Sequence, residues 1–140
     1  MADLVEWHGD KLTKGMRRAA VRIIRREALA MIGRMKRAMT QTVRDRSRRK
    51  GRMGYPSAPG HPPAVQRGVL RQSLTADFSD LESEGVAHVG ATGNAPYAIY
   101  LELGTYRMAP RPFLRPEQQK AQENILWALD SLMWYEKVME

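Results

Sequence analysis

The chain has 140 residues, room for one domain with a single core and little more. Hydrophobic residues make up 43% and charged residues 27%, which excludes a disordered or collagen-like chain, and the absence of cysteine excludes disulfide frameworks, zinc ribbons, Fe–S ligation and a cysteine nucleophile. Against 15 Asp and Glu stand 23 Lys and Arg, a formal net charge of +8 that points first to a polyanionic partner.

The positive charge is concentrated. From Lys11 to Arg52 there are 16 basic residues and two acids, Glu27 and Asp45, whereas the chain after Arg52 carries 7 basic and 10 acidic residues. No run approaches the roughly 18 to 20 apolar residues of a membrane span. Met1 to Trp7 lacks the basic and apolar regions of a signal peptide, so the expectation is a protein used without export, with no membrane partner.

A long basic helix is expected over 10–46. This stretch has no proline, and Val21, Ile24, Ala28, Met31, Met35, Met39 and Val43 recur at intervals of three and four. Arginines fill the remaining circumference, and the helix would be roughly 50 Å long. Gly33 is its weak point and suggests a bend or a close helix contact. Over 47–68, prolines 56, 59, 62 and 63 with glycines 51, 54, 60 and 68 exclude a helix or a central strand. This segment reads as an extended arm, ordered by a partner.

The region 69–115 is expected to hold the sheet. One helical turn fits Val69 to Leu74. Alternation at Leu74, Ala76 and Phe78 gives a strand, Val86 to Val89 a second, and Glu82 to Gly85 a hairpin turn between them, with Gly85 at positive φ. Pro96 to Leu103 reads as a short buried helix or a strand, stopped by Gly104, with the helix favoured. The last helix, 116–140, starts with Pro116 and Glu117 and carries an apolar face of Ala121, Ile125, Ala128, Leu132 and Tyr135, with Trp127 and Trp134 on a neighbouring face. It is acidic and suited to lie along the basic first helix, in its own subunit or the next.

Enzymatic chemistry has no anchor. Nucleophile elbow, Walker A loop and dinucleotide fingerprint are all missing, and His8, His61 and His88 lack ligand spacing, so no cofactor, metal or catalytic residue is assigned. Asp77, Asp80, Glu82 and Glu84 surround the expected turn and read as its solvated face. For the basic segment three readings stand open. The helix and the arm residues Arg44, Arg46, Arg48, Arg49, Lys50 and Arg52 track a nucleic-acid backbone without reading bases; or the arginines are a solvated helix face; or they meet acidic protein surfaces, including the last helix of a neighbouring copy.

Two stretches carry a resemblance. Ser57-Ala58-Pro59-Gly60-His61-Pro62-Pro63, followed by Gly68-Val69-Leu70-Arg71-Gln72-Ser73-Leu74, resembles the motif S-A-P-G-x-P-P with T-G-x-L-R-x-S-I. Ala95-Pro96-Tyr97-Ala98-Ile99-Tyr100-Leu101-Glu102-Leu103-Gly104-Thr105, followed by Met108-Ala109-Pro110-Arg111-Pro112-Phe113-Leu114-Arg115-Pro116, is similar to A-P-Y-A-x-Y-x-E-x-G-T with M-x-x-R-P-F-L-R-P. These are motifs of the tail-component family of long-tailed phages and related prophages, whose members act as neck or tail-completion proteins at the head–tail junction. Two departures stand out: His61 where that family commonly has Glu or Gln, and Arg67 where Thr is usual.

The resemblance implies an α+β fold, with a long N-terminal helix, a small mainly antiparallel sheet with an extended Pro/Gly-rich loop, and a C-terminal helix packed on the sheet. It also implies a virion structural protein: a homo-oligomeric ring, expected to be hexameric, between the head-closure or connector ring and the tail tube or terminator proteins. Assembly would take place in the bacterial cytoplasm, with genomic DNA passing nearby. Three features of the chain agree with an assembly role. The helix and arm exceed what a 140-residue core needs, the two terminal helices carry opposite charge, and Arg107, Arg111 and Arg115 with their intervening prolines suit a stiff basic edge for strand addition. The expected interface comprises the arm residues above with Tyr55, Pro59, Pro62 and Pro63, then Tyr97, Tyr100, Glu102, Arg107, Arg111, Phe113 and Arg115. The alternatives are a terminator ring capping the tail tube and a nonspecific DNA-binding protein.

Overall fold

A computed structural model of the chain describes residues 2–3, 14–48 and 54–139, with side chains for 14–48 and 54–134. The elements in order are β1 (Ala2–Asp3), α1 (Lys14–Gln41), α2 (Val69–Ser73), β2 (Leu74–Asp77), β3 (His88–Ala91), α3 (Ala98–Leu103) and α4 (Arg115–Met139). This is the α+β arrangement expected. Strand β3 lies in the middle of an antiparallel sheet, paired with β2 from Leu74 opposite Ala91 to Asp77 opposite His88, while β1 adds only two residues on the other edge.

The helical stripe is the spine of the core. Val21, Ile24, Ala28, Met31, Met35 and Met39 are all buried, and α1 packs against β2 and, along much of its length, against α4. The last helix therefore lies along the first within one subunit, one of the two placements open from sequence. Its face is set by Ala121 and Ile125, both fully buried; Tyr135 lies outside the described side chains.

Gly33 is not a close helix contact. It sits inside an unbroken α1, and a Cβ there would meet nothing nearer than the Arg37 guanidinium at 4.0 Å. Gly33→Ala is expected to stabilise the chain by about 1 kcal/mol, because it removes backbone freedom from the unfolded state without a clash. Urea unfolding checks this as a raised midpoint at unchanged slope.

A polar network joins α1 to α4. Arg34 Nε donates to Glu117 Oε2 at 2.7 Å, Arg34 Nη2 lies 2.8 Å from Glu27 Oε1, Lys120 Nζ donates to Glu117 Oε1 at 2.9 Å, and Asn124 Nδ2 donates to Glu27 Oε1 at 3.0 Å. Burial alone would draw the Arg34 guanidinium down, but Glu117 and Glu27 together hold it above its ordinary value. Burial likewise opposes ionisation of Glu117, and Lys120 with Arg34 overcomes it, so the carboxyl sits below its ordinary 4.5. A carboxyl depressed on folding contributes stability above its unfolded pKa and loses it as pH falls through the lower folded one, so this contribution fades below pH 4.5. Glu117→Gln, which leaves Arg34 with Glu27 alone, is expected to cost about 2 kcal/mol at neutral pH and much less at about pH 3, read from urea midpoints at both pH values.

Five sequence expectations are corrected. Helix α1 ends at Gln41, not at residue 46, because the next residues are taken into other bonds: the Thr42 hydroxyl donates to the Pro62 carbonyl at 2.7 Å, and Arg44 and Ser57 form an antiparallel bridge, with Asp45 N–H on Pro56 O at 2.8 Å and Ala58 N–H on Val43 O at 2.9 Å. Val43, expected on the apolar stripe, is consequently exposed. The described part of the arm, 54–68, is folded back on the body, with Ser57 and Pro63 buried. Prolines lack an N–H but keep their carbonyls, and this segment serves its neighbours as a strip of acceptors.

The second strand begins at His88, two residues later than expected. The connection coils through 79–84, with Glu84 N–H on Asp80 O and Gly85 N–H on Leu81 O, and buries Leu81 completely. Gly85 does take positive φ, 74°. Helix α3 forms within Pro96 to Leu103, but no residue of it is buried. Finally, Arg107 to Arg115 is not a strand. Thr105 and Met108 close a turn, the Arg111 N–H donates to Leu101 O at 2.7 Å, and Arg115 opens α4.

Candidate interaction groove

The residues of the two motif stretches, far apart in sequence, converge. Pro56, Ser57, Pro63 and Val65 come from the folded-back segment, Gly68 to Arg71 from the entry to α2, Tyr97 and Leu101 from α3, and Arg111 from the strap before α4. Together with Met39 at the end of α1 they line a groove of about 600 Å³, within the range of pockets that hold small ligands or peptide side chains.

Local sequence builds each wall. Gly68 takes φ 79° at the start of α2, a left-handed conformation that turns the chain out of the proline segment into the helix. Leu70 then points into the core and Ser73 Oγ closes on Leu70 O at 2.8 Å. Opposite, Gly104 ends α3 at φ 75°, its N–H on Tyr100 O at 2.9 Å, so that the chain returns and presents Arg111 beneath Leu101. The Arg111 Nε donates to Ser57 O at 3.2 Å, joining the two motif stretches. The Gly60 N–H on Pro110 O at 2.9 Å joins them a second time.

The site residues expected from sequence divide into groups. Pro63, Tyr97 and Arg111 line the groove, and Pro62 is half-buried beside it. Phe113 is core, and Glu102 is a helix cap: its Oε2 accepts the N–H groups of Phe113 at 2.8 Å and Leu114 at 3.0 Å, and its Oε1 that of Arg115 at 2.9 Å. Tyr100 and Arg107 are exposed, the Arg107 guanidinium stacked over the neighbouring Tyr106 ring. Pro59 and Arg115 are exposed as well. In the basic arm, Arg44 Nη1 donates to the Tyr55 carbonyl at 2.8 Å, Arg48 faces Asp45 at 3.5 Å, and Arg46 is exposed. Arg49, Lys50 and Arg52 lie outside the described residues.

Sequence reading missed Ser57, Met39 and the rim pair Arg67 and Arg71 as parts of one site. Only the unusual Arg67 hinted at a second basic cluster. Two other surfaces stand out. The outer face of α1 exposes Arg18, Arg22, Arg26 and Arg37, and Arg17 is exposed at its start. Large apolar side chains are exposed on α3 and the following turn (Ile99, Tyr100, Leu103 and Tyr106) and on the later turns of α4 (Leu126, Trp127, Met133 and Trp134), with Tyr106, Trp127 and Trp134 at 90%, 75% and 66%.

Among the described residues no three His, Asp or Glu side chains gather as a metal site, and no helix is long and apolar enough to cross a membrane. Compared with protein-family models, curated proteins and solved structures, the chain matches none.

Proposed function

We propose that the chain is a structural subunit of a phage-type particle that assembles head-to-tail into a ring at the junction of head and tail, as the motif resemblance implies. The observation that carries the reading is the pair of exposed apolar surfaces. The α3 surface lies at the start of α4, where Glu102 caps the helix, and Trp134 lies about 28 Å further along its axis. Soluble monomers seldom leave such aromatic surface in water, and two different patches on one subunit are what a heterologous contact needs. The charge on the terminal helices contributes less than expected to contacts between copies, because Arg34, Glu27 and Glu117 already meet within the chain.

Electron-microscope images of the purified protein, alone and with the capsid connector, test the reading: rings are expected, and a strict monomer in both cases overturns it. In a lysate lacking the protein, filled heads and finished tails that fail to join support a neck role, whereas overlong tails indicate a terminator. The exposed arginines of α1 favour one second reading, nonspecific duplex binding. That reading requires affinity to fall by orders of magnitude between about 50 and 200 mM salt.

A further inference from the structure

The groove has walls of two kinds. Met39, Pro63, Val65, Leu70 and Leu101 make it apolar, while among the described residues its charged lining is Arg67, Arg71 and Arg111, with no aspartate or glutamate. Arg67 and Arg71 are exposed at the rim, Arg71 with Nη1 on the Thr40 hydroxyl at 3.1 Å. Arg111 is only 8% exposed, its Nε donates to a backbone carbonyl, and among the described residues no carboxylate lies within ion-pair distance of it. Its Nη atoms are not sealed off but open on the groove, where a planar carboxylate or phosphate can meet a mostly enclosed cation that has no counter-charge among the described residues. Ser57, whose carbonyl takes the Arg111 Nε, also lines the groove, and its Oγ is buried with no hydrogen-bond partner. The nearly enclosed Arg111 guanidinium thus keeps unmet bonding capacity in the groove, under an arginine rim.

We infer that the groove binds an extended segment of a partner protein in which carboxylates alternate with apolar side chains. One carboxylate pairs with Arg111, and others meet Arg67 and Arg71. Alternation follows from the walls, since successive side chains of an extended segment point to opposite sides. A nucleic-acid backbone fits less well: it is tracked by open basic surface such as the outer face of α1, whereas here most of the wall is apolar and, among the described residues, Tyr97 is the lone aromatic in the lining. The inference does not require the copies to close into a ring, because a monomer with this groove binds the same segment.

Fluorescence anisotropy tests it with a fluorescein-labelled peptide of about ten residues alternating Glu with Val, its Gln-for-Glu counterpart, and a duplex of about 20 base pairs. The Glu peptide is expected to bind at least about tenfold more tightly than the Gln peptide. The double substitution R67Q/R71Q, at exposed positions, is expected to erase about that factor at an unchanged melting temperature, and Arg111→Lys to weaken binding because the planar fork is lost. The control R22Q/R26Q, on the outer face of α1, is expected to leave peptide binding unchanged. Equal binding of the two peptides, binding of neither, equal weakening by R22Q/R26Q, or loss of duplex binding alone in R67Q/R71Q overturns the inference. None of these results depends on whether the micrographs show rings.

Discussion

Gly104→Ala is expected to destabilise the chain by about 4 kcal/mol, more than any other single methyl addition considered for it. Gly104 has φ 75° and ψ 177°, a region that side chains rarely enter. A Cβ there would also stand 2.9 Å from Met108 O, Pro110 N and Pro110 Cδ. Two of those atoms are backbone and the third belongs to a proline ring, so none can swing aside. The consequence extends beyond the turn, because this turn returns the chain so that Arg111 N–H reaches Leu101 O and its guanidinium reaches Ser57 O. Gly60→Ala is the control: φ is 78°, but nothing lies within 4 Å of its Cβ, so only the backbone penalty of about 1–2 kcal/mol applies. Urea midpoints for the two variants separate the clash from the conformational cost, and equal losses would show that the close approach does not matter.

What could be read from sequence and what could not follows from which atoms make the contacts. The stripe from Val21 to Met39 was legible because apolar side chains at helical spacing must be buried together, and each of its residues named above is buried. Gly85 and Gly104 were legible for a related reason: a glycine closing a polar turn, or stopping an apolar run, supplies a positive φ, and both do. Arg111 was not. Three arginines four apart between prolines look like a basic edge, but the partners of Arg111 are the carbonyls of Leu101 and Ser57, and backbone acceptors leave no trace in a pattern of side chains. The folded-back proline segment escaped notice for the same reason, its bonds to Thr42, Asp45 and Arg111 being made through carbonyls of Pro62, Pro56 and Ser57. The groove is therefore a product of backbone carbonyls on both motif stretches, Ser57 O taking the Arg111 Nε and Pro110 O taking the Gly60 N–H. Both motif stretches were visible in the sequence, but not that they met.

The same reasoning changes what the net charge of +8 means. Arg34 is committed inside the fold, and Arg111 is turned into the groove. The outer face of α1 retains exposed arginines. The chain thus presents two basic surfaces of different character, one open and one recessed among apolar walls, and partners of different chemistry suit them.

Glu102→Ala is expected to cost about 3 kcal/mol, because one carboxylate serves three backbone donors at once. Phe113, Leu114 and Arg115 enter α4 with N–H groups that no preceding turn can satisfy, and Phe113 is buried, so water is a poor substitute. The negative charge also faces the positive end of a 25-residue helix. Alanine removes both contributions, whereas glutamine keeps one acceptor oxygen and turns its amide towards backbone donors, so Glu102→Gln is expected to recover at most about half the loss. The urea midpoint gives the magnitude, and hydrogen exchange at the Phe113, Leu114 and Arg115 amides gives the location: faster exchange there, with α1 amides following only the global change. A loss below about 0.5 kcal/mol, typical of an exposed surface site, would remove Glu102 from any role in holding the fold. Glu102 and Gly104 both sit at the end of α3, one gripping the start of α4 and the other bending the chain towards it. The strap from Thr105 to Leu114 is held at both ends, and Arg111 lies between those anchors with its guanidinium directed to Ser57 O. A ligand that pairs with Arg111 acts on a side chain whose position is already set, so the entropy of ordering it is not lost on binding.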